Sequence, residues 1–144
     1  MKYFLLIYFT LLLSTAQAFS QSLLKGQWIN YDGTEIIEFT KTSDQNFIGK
    51  IIWMKTPNNK DGTPKLDIKN PNKLLRKKPL LGLTIITSLK YENDTWSKGR
   101  IYSYKRGGEI TFSIIEITEN SLKIKIKKGF FSKELSFKRV KHKQ

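Results

Sequence analysis

Few side chains in this sequence could perform acid–base or nucleophilic chemistry, and the best candidates are two aspartates. Asp61 and Asp67 are the only carboxylates between residues 61 and 82. Paired carboxylates can transfer protons or bind calcium. A structural role suits them better, since Asp61-Gly62 is typical of a turn and Asp67 could accept hydrogen bonds from backbone N–H groups. The sequence contains no Asp-rich loop with calcium-binding spacing and no glycine-rich phosphate loop.

The other catalytic residue types are nearly absent. The sequence has no cysteine, and its one histidine, His142, lies in a charged C-terminal tail. Ser-His catalysis, Cys-His catalysis and zinc sites all depend on these two residue types. We therefore predict no catalytic residue, no metal site and no cofactor, and we expect a protein that is not an enzyme.

Aromatic and basic residues make a better case for ligand binding. Small-molecule sites have aromatic and apolar walls with a few polar groups. Aromatic residues on the predicted strands could form such a wall, although ordinary cross-strand packing would also explain them. Arg76 and Arg100 could hold an anionic group if they face the interior. The aromatic candidates are Trp53, Trp96, Tyr102 and Tyr104. The full set of candidate ligand-binding residues is Trp53, Asp67, Asn70, Arg76, Trp96, Arg100 and Tyr102.

Several of these residues belong to an insertion, residues 61–82, that does not have the pattern of a strand. It contains three of the four prolines. Asn70 followed by Pro71 predicts a helix start, with asparagine as the N-cap and proline at the first helical position. Pro79 ends the helix, because the residue before a proline is displaced from helical φ and ψ. The sequence thus predicts one short helix in a lid or binding loop over a sheet or barrel mouth.

The pattern of the rest of the chain predicts about eight short strands separated by turns. The clearest alternation runs over residues 122–127, where isoleucine or leucine would point inward and lysine outward. The turn signals include Asp32-Gly33 and Gly107-Gly108. This pattern predicts an all-β antiparallel up-and-down barrel, whose interior is either filled or wide enough for one small ligand. In the third predicted strand, one face would carry Phe47, Gly49, Ile51 and Trp53.

The N-terminal residues have the pattern of an export signal. One positive charge precedes an apolar run over residues 4–13, and Ala16-Gln17-Ala18 is a cleavage motif. The run is shorter than the roughly 20 apolar residues that a membrane-spanning helix needs. We expect a cleaved signal peptide over residues 1–18 and one domain over residues 19–144. We also expect export to the periplasm or medium, with no transmembrane anchor.

The chain is strongly basic. Its formal net charge is +14, from 26 basic and 12 acidic residues. Such a field attracts polyanions, including anionic lipid headgroups, lipopolysaccharide and acidic glycans. Nucleic acid is a poor candidate partner for an exported protein. A simpler interpretation is that the lysines maintain solubility, because phosphate-binding sites tend to use arginine.

Several motifs together carry a family resemblance. They are Gly26-x-Trp28; Gly49-Lys50-Ile51-Ile52-Trp53; Asp61-Gly62-x-Pro64-Lys65-x-Asp67 with Asn70-Pro71; Leu75-Arg76-x-Lys78-Pro79-Leu80-x-Gly82-Leu83; and Trp96-x-x-Gly99-x-Ile101-Tyr102. This set resembles the exported bacterial proteins of domain-of-unknown-function family 2147 (DUF2147). The chain departs from the family pattern at Ser103-Tyr104, where relatives carry Asp-Pro, and at Leu81, where cysteine is common. The family name implies no activity.

Three residues resemble the end closure of lipocalin and calycin barrels. In those barrels a Gly-x-Trp motif lies on the first strand, and an arginine of the last strand packs over the tryptophan. The resemblance implies that Gly26, Trp28 and Arg139 close one end of this barrel. A guanidinium over an indole ring contributes roughly 0.5–2 kcal/mol.

Two functions remain open from the sequence. One is a non-catalytic barrel that binds a small apolar or amphipathic ligand beside the insertion. The alternative is a basic interaction module that contacts anionic cell-envelope components. The residues of its lysine face would be Lys123, Lys125, Lys127 and Lys138.

Overall fold

The computed structural model describes residues 18–141. His142 and all of the predicted signal peptide except its last residue lie outside the described residues. A short helix over residues 18–24 (α1) precedes nine strand segments. These are β1 (Gly26–Asn30), β2 (Glu35–Lys41), β3 (Phe47–Met54), β4 (Thr84–Glu92), β5 (Thr95–Ser97), β6 (Gly99–Ser103), β7 (Gly108–Ile117), β8 (Ser121–Lys128) and β9 (Phe131–Arg139). No helix within residues 18–141 is long and apolar enough to span a membrane.

The strands form a closed antiparallel barrel. Neighbouring strands pair in chain order, and β1 pairs with β9 to complete the circle. Segments β5 and β6 both pair with β4 and are two parts of one strand, interrupted where Lys98 has a φ of 61°. The predicted eight-stranded up-and-down barrel is therefore confirmed. Apart from the connection between β3 and β4, its turns are short, as expected for consecutive antiparallel strands.

Apolar side chains pack the barrel interior. Alternate residues along each strand point inward, and in β8 these are the leucine and isoleucines that the sequence pattern predicted. Gly99 lies opposite Phe112, and a Cβ at Gly99 would lie 2.6 Å from the phenyl ring. The absence of a side chain there gives the ring its space. The fully buried interior residues include Trp28, Phe47, Ile51, Ile86, Leu89, Leu122 and Ile124.

One end of the barrel is closed by α1 and by the three residues of the expected closure. The Arg139 guanidinium lies 4.2 Å from the centre of the Trp28 ring. The indole Nε1 donates to the carbonyl of Leu24, at 2.9 Å, and the Arg139 guanidinium donates to the carbonyls of Leu23 and Lys25. A Cβ at Gly26 would lie 3.2 Å from Arg139 Nη1, so glycine allows this close approach. We call this the closed end.

A bulge in β3 changes the phase of that strand. Ile37 pairs with Ile51 and Ile36 pairs with Trp53, which leaves Ile52 as an extra residue. An extra residue reverses the alternation beyond it. Met54 is consequently buried, whereas Trp53 points outward and is 42% exposed. The prediction that Trp53 shares a face with Ile51 was wrong for this reason.

The helical residues of the insertion also differ from the prediction. The α-helix of the structure precedes β1 rather than following β3. The insertion contains a single 3-10 turn, Lys73–Leu75, whose N-cap is Asn72 and not Asn70. Asn72 accepts a hydrogen bond from the Leu74 N–H at 3.0 Å. The Asn70 side chain lies before this turn: its oxygen accepts from the Asn72 N–H at 2.9 Å, and its nitrogen donates to Asp67 Oδ2 at 2.7 Å.

Candidate functional site

The connection between β3 and β4, residues 55–83, contains the insertion and lies at the end of the barrel opposite the closed end. Two isolated bridges fold it, one between Asn58 and Pro64 and the other between Leu66 and Pro79. Lys69 ties it to the β6–β7 turn, since its ammonium donates to the Lys105 carbonyl at 2.8 Å. The insertion is therefore an ordered element that is held against the barrel wall.

Asp67 is the main anchor of the insertion. It is 1% exposed. Its Oδ1 accepts from the Tyr102 hydroxyl and its Oδ2 from the Asn70 side-chain amide, each at 2.7 Å. Buried polar groups require such partners. Because Tyr102 belongs to β6, its hydrogen bond to Asp67 joins the insertion to the barrel.

Tyr102 is held in its neutral form by this contact. Burial, followed by the hydrogen bond to Asp67 and the charge of that carboxylate, raises the pKa of Tyr102 from 10 to about 12. The hydroxyl is thus a donor throughout the physiological range. Asp67 is buried and hydrogen-bonded on both oxygens, so it fixes the positions of the Tyr102 hydroxyl and the Asn70 side chain.

Asn70 organises the chain that follows it. Its side-chain oxygen accepts from the Asn72 N–H at 2.9 Å, and its carbonyl accepts from Arg76 Nε at 2.7 Å. The bond from Arg76 to the Asn70 carbonyl closes the turn over residues 70–76. The Arg76 residue nevertheless remains exposed to solvent. Of the seven predicted ligand-binding residues, Asp67, Asn70, Arg76 and Tyr102 form one connected group.

A cleft of about 750 Å³ lies beside this group, between the insertion and the barrel wall. The wall residues Lys50, Tyr102 and Glu109 are at outward-facing positions of β3, β6 and β7, so the cleft is on the outside of the barrel. Its insertion side is largely apolar. The cleft is lined by Lys50, Asn70, Pro71, Leu75, Lys78, Pro79, Leu81, Gly82, Leu83, Thr84, Ile85, Thr87, Tyr102, Gly108 and Glu109.

The cleft has more positive than negative side chains that lack an ion-pair partner among the described residues. Lys50 and Lys78 are exposed lysines on its border. Glu109 is the acidic residue of the lining, and its carboxylate lies 3.5 Å from the Arg100 guanidinium. Arg100 faces outward and neutralises this glutamate. The two lysines therefore leave the cleft with an excess of positive charge.

Of the seven predicted residues, Asn70 and Tyr102 line the cleft, and Asp67, Arg76 and Arg100 contact residues that line it. The two tryptophans lie away from the cleft. Trp53 is on the outer wall but does not line the cleft. Trp96 is buried inside the barrel towards the closed end, where its ring packs against Phe47 at 5.1 Å and Tyr91 at 5.0 Å between ring centres. The aromatic wall that the sequence suggested is not formed, because its tryptophans lie on opposite sides of the sheet.

Lys50, Lys78, Leu75 and Leu81 border the cleft and were missed as ligand-binding candidates. Outward alternation in β3 marks Lys50 as an exposed residue, but it does not reveal that the insertion folds back over it. A separate tyrosine–carboxylate pair joins the Tyr104 hydroxyl to Glu35, and burial together with this contact raises the pKa of Tyr104. Among the described residues, no three histidine, cysteine or acidic side chains are grouped as metal ligands.

Comparisons with known proteins agree with this architecture. The family model described as "uncharacterized protein conserved in bacteria (DUF2147)" matches residues 26–139. The chain belongs to this family. The match includes every strand and the whole insertion, so both the barrel and the cleft fall within the family region. No curated protein matches the chain.

Among solved structures, a similar one is protein HP1028 from the human pathogen Helicobacter pylori, described as belonging to the lipocalin family. It is 21% identical, with a TM-score of 0.66, and the similarity covers 82% of this chain and 83% of that one. The likeness supports a lipocalin-like barrel fold.

Proposed function

We propose that this protein binds a small amphipathic ligand, without catalysis, in the cleft between the insertion and the outer wall of the barrel. The observation that carries the proposal is the cleft itself. Its volume of about 750 Å³ lies within the usual range for small-molecule sites, roughly 300–1,000 Å³. The interior positions are occupied by packed side chains, so the proposed ligand lies outside the barrel wall.

The lining suggests the chemistry of the ligand. Pro71, Leu75 and Leu81 offer apolar surface, which favours an alkyl chain or a ring. Lys50 and Lys78 offer two ammonium groups beside it, which favours a carboxylate or phosphate headgroup. An anionic amphiphile satisfies both parts of the site. The Asp67–Tyr102 hydrogen bond would hold the insertion at a fixed distance from the wall and so preserve the cleft before the ligand arrives.

We also propose that the protein acts outside the cytoplasm, on the basis of its N-terminal export pattern. Native mass spectrometry of protein purified from its own host would test both proposals. We expect a chain that begins near residue 19 and carries a bound anionic amphiphile. An unprocessed N terminus would refute export.

Binding is tested directly by titrating laurate and, as a cationic comparison, dodecyltrimethylammonium. We expect laurate to bind more tightly and Leu81→Glu to weaken its binding at least about tenfold, since a carboxylate would enter the apolar part of the cleft. Leu74→Glu is the matched control, because Leu74 is 87% exposed and does not line the cleft. Equal affinity of the two variants, or equal affinity for the two detergents, would refute the proposed site.

Contact of the basic surface with anionic envelope components is a second candidate function. The net charge of +14 favours it. The specific observation is a group of lysines at the β8–β9 hairpin that have no ion-pair partner in residues 18–141. Binding to anionic vesicles or lipopolysaccharide that weakens with salt is the expected result.

A further inference from the structure

The β8–β9 hairpin continues past its pairing with both neighbouring strands. β7 pairs with β8 only as far as Ile126, and β1 pairs with β9 only as far as Phe137, with one more hydrogen bond from Tyr31 to Ser136. Residues 127–134 are all exposed to solvent. At about 3.3 Å per residue, the five residues from 131 to 135 extend about 16 Å past the last contact with β1. We call residues 127–134 the hairpin tip.

Two phenylalanines occupy the hairpin tip. Phe130 is fully exposed and Phe131 is 61% exposed. The turn is a tight one formed by Gly129 and Phe130. Gly129 has a φ of 60°, as the first central position of a type II′ turn requires. The turn therefore presents the Phe130 ring at the furthest point of the hairpin, where it contributes nothing to the packed core.

Lysines surround these phenylalanines. Lys127, Lys128 and Lys133 belong to the tip, and none of them forms a salt bridge with a described residue. The lysines nearer the closed end are in a different situation. Lys123 is paired with Glu116 at 2.8 Å, and Lys125 lies directly opposite Glu134 across the strand pair. The uncompensated positive charge of this hairpin is thus concentrated beside its exposed aromatic rings.

We propose that the hairpin tip docks on an anionic lipid bilayer, with Phe130 and Phe131 inserted at the headgroup level and the three lysines in contact with the lipid phosphates. An apolar tip with flanking lysines suits such a surface, because aromatic rings partition into the interface and each nearby lysine strengthens binding about fivefold. Lysine side chains can also extend sideways to the headgroups while their alkyl parts remain in apolar surroundings. The proposal rests on the second candidate function and gives it a contact surface.

The test uses residues 19–144, which contain every described strand, and vesicles of phosphatidylcholine with or without phosphatidylglycerol. We expect cosedimentation with the phosphatidylglycerol vesicles that weakens with salt, and little binding to phosphatidylcholine alone. Phe130→Ser/Phe131→Ser should weaken binding about tenfold or more, since the removed rings no longer insert. Ile115→Ser is the matched control, because Ile115 is an exposed apolar residue near the closed end, 46% exposed. It should bind as the parent chain does.

A second variant, Phe130→Trp, reports insertion directly. Its emission should shift to the blue on phosphatidylglycerol vesicles. Unchanged binding of the double serine variant, or no blue shift, would overturn the docking of the hairpin, while salt-sensitive binding in the same assays would leave the second candidate function intact. Absence of binding to any vesicle would refute both. If the chain binds heparin as tightly as vesicles, and the double serine variant binds heparin as the parent chain does, the partner is an acidic glycan. That result would overturn the lipid proposal.

Discussion

Removal of one hydroxyl group, by Tyr102→Phe, tests whether Asp67 anchors the insertion. The Tyr102 hydroxyl donates to Asp67 Oδ1 at 2.7 Å, and Asp67 is 1% exposed. Phenylalanine fills the same space, so the substitution leaves the packing of β6 unchanged. What it removes is one of the two side-chain donors to a buried carboxylate.

The expected cost follows from the charge of the acceptor. A hydrogen bond to a charged group contributes about 1.5–3 kcal/mol to the free energy of unfolding, and an acceptor left buried without a partner costs a similar amount. The remaining bond from Asn70 lowers the loss towards about 2 kcal/mol. For a domain of this size, that corresponds to a fall of roughly 6–10 °C in Tm.

Differential scanning calorimetry and denaturant titration would measure the change. Tyr91→Phe is the matched control, because Tyr91 is half-buried and its hydroxyl has no hydrogen-bond partner within the described part of the chain. We expect that variant to change the free energy of unfolding by less than about 0.5 kcal/mol. A Tyr102→Phe effect no larger than that of Tyr91→Phe would show that Asp67 does not depend on this bond. The laurate titration should then also be unaffected.

Three further predictions concern the barrel and the same tyrosine. Arg139→Ala should lower the free energy of unfolding by about 2–4 kcal/mol in a denaturant titration, because it removes the stacking on Trp28 and the bonds to the carbonyls of Leu23 and Lys25. A loss below about 1 kcal/mol would contradict this. Gly99→Ala should cost about 1–3 kcal/mol by calorimetry, since the new methyl group would overlap the Phe112 ring, and an unchanged Tm would contradict it. The raised pKa of Tyr102 favours the protonated folded state, so its contribution is fully present below pH 10 and is lost as the pH rises towards about 12. Over that window the parent chain should lose more stability than Tyr102→Phe, and parallel losses would contradict this.

The barrel was predictable because alternation and turn residues both indicate it. Residues 122–127 alternate strictly, and in the structure the apolar ones face inward while the lysines face outward. The Gly26, Trp28 and Arg139 closure followed from a resemblance, and these residues do meet at one end. Where both faces of a strand are apolar, alternation alone cannot locate a bulge. The extra residue Ile52 could not be seen for this reason, and it placed Trp53 on the opposite face from the one expected.

The candidate site was harder to predict than the fold. Asn70-Pro71 is a strong local helix signal, but the Asn70 side chain donates to Asp67 and accepts from the Asn72 N–H, and the 3-10 turn has Asn72 as its N-cap instead. The sequence predicts Asp67 and Tyr102 as site residues, but it does not predict their hydrogen bond, which joins residues 35 positions apart. The cleft depends on how the insertion folds back over the outer wall near Lys50. No short-range pattern encodes that contact.

The pairing of the first strand with the last has a consequence for how the chain is synthesised. β1 lies between β2 and β9, so one of its edges has no partner until β9 has been made. Until then the growing chain is an open sheet with free edges at β1 and at its newest strand, and free edges invite pairing with other chains. The stacking of Arg139 on Trp28 is also delayed, because Arg139 is the final residue of the final strand. The free edge of β1 is therefore covered only when β9, the last strand, has been made. A chain that ends before β9 should associate with its copies rather than close into a smaller barrel.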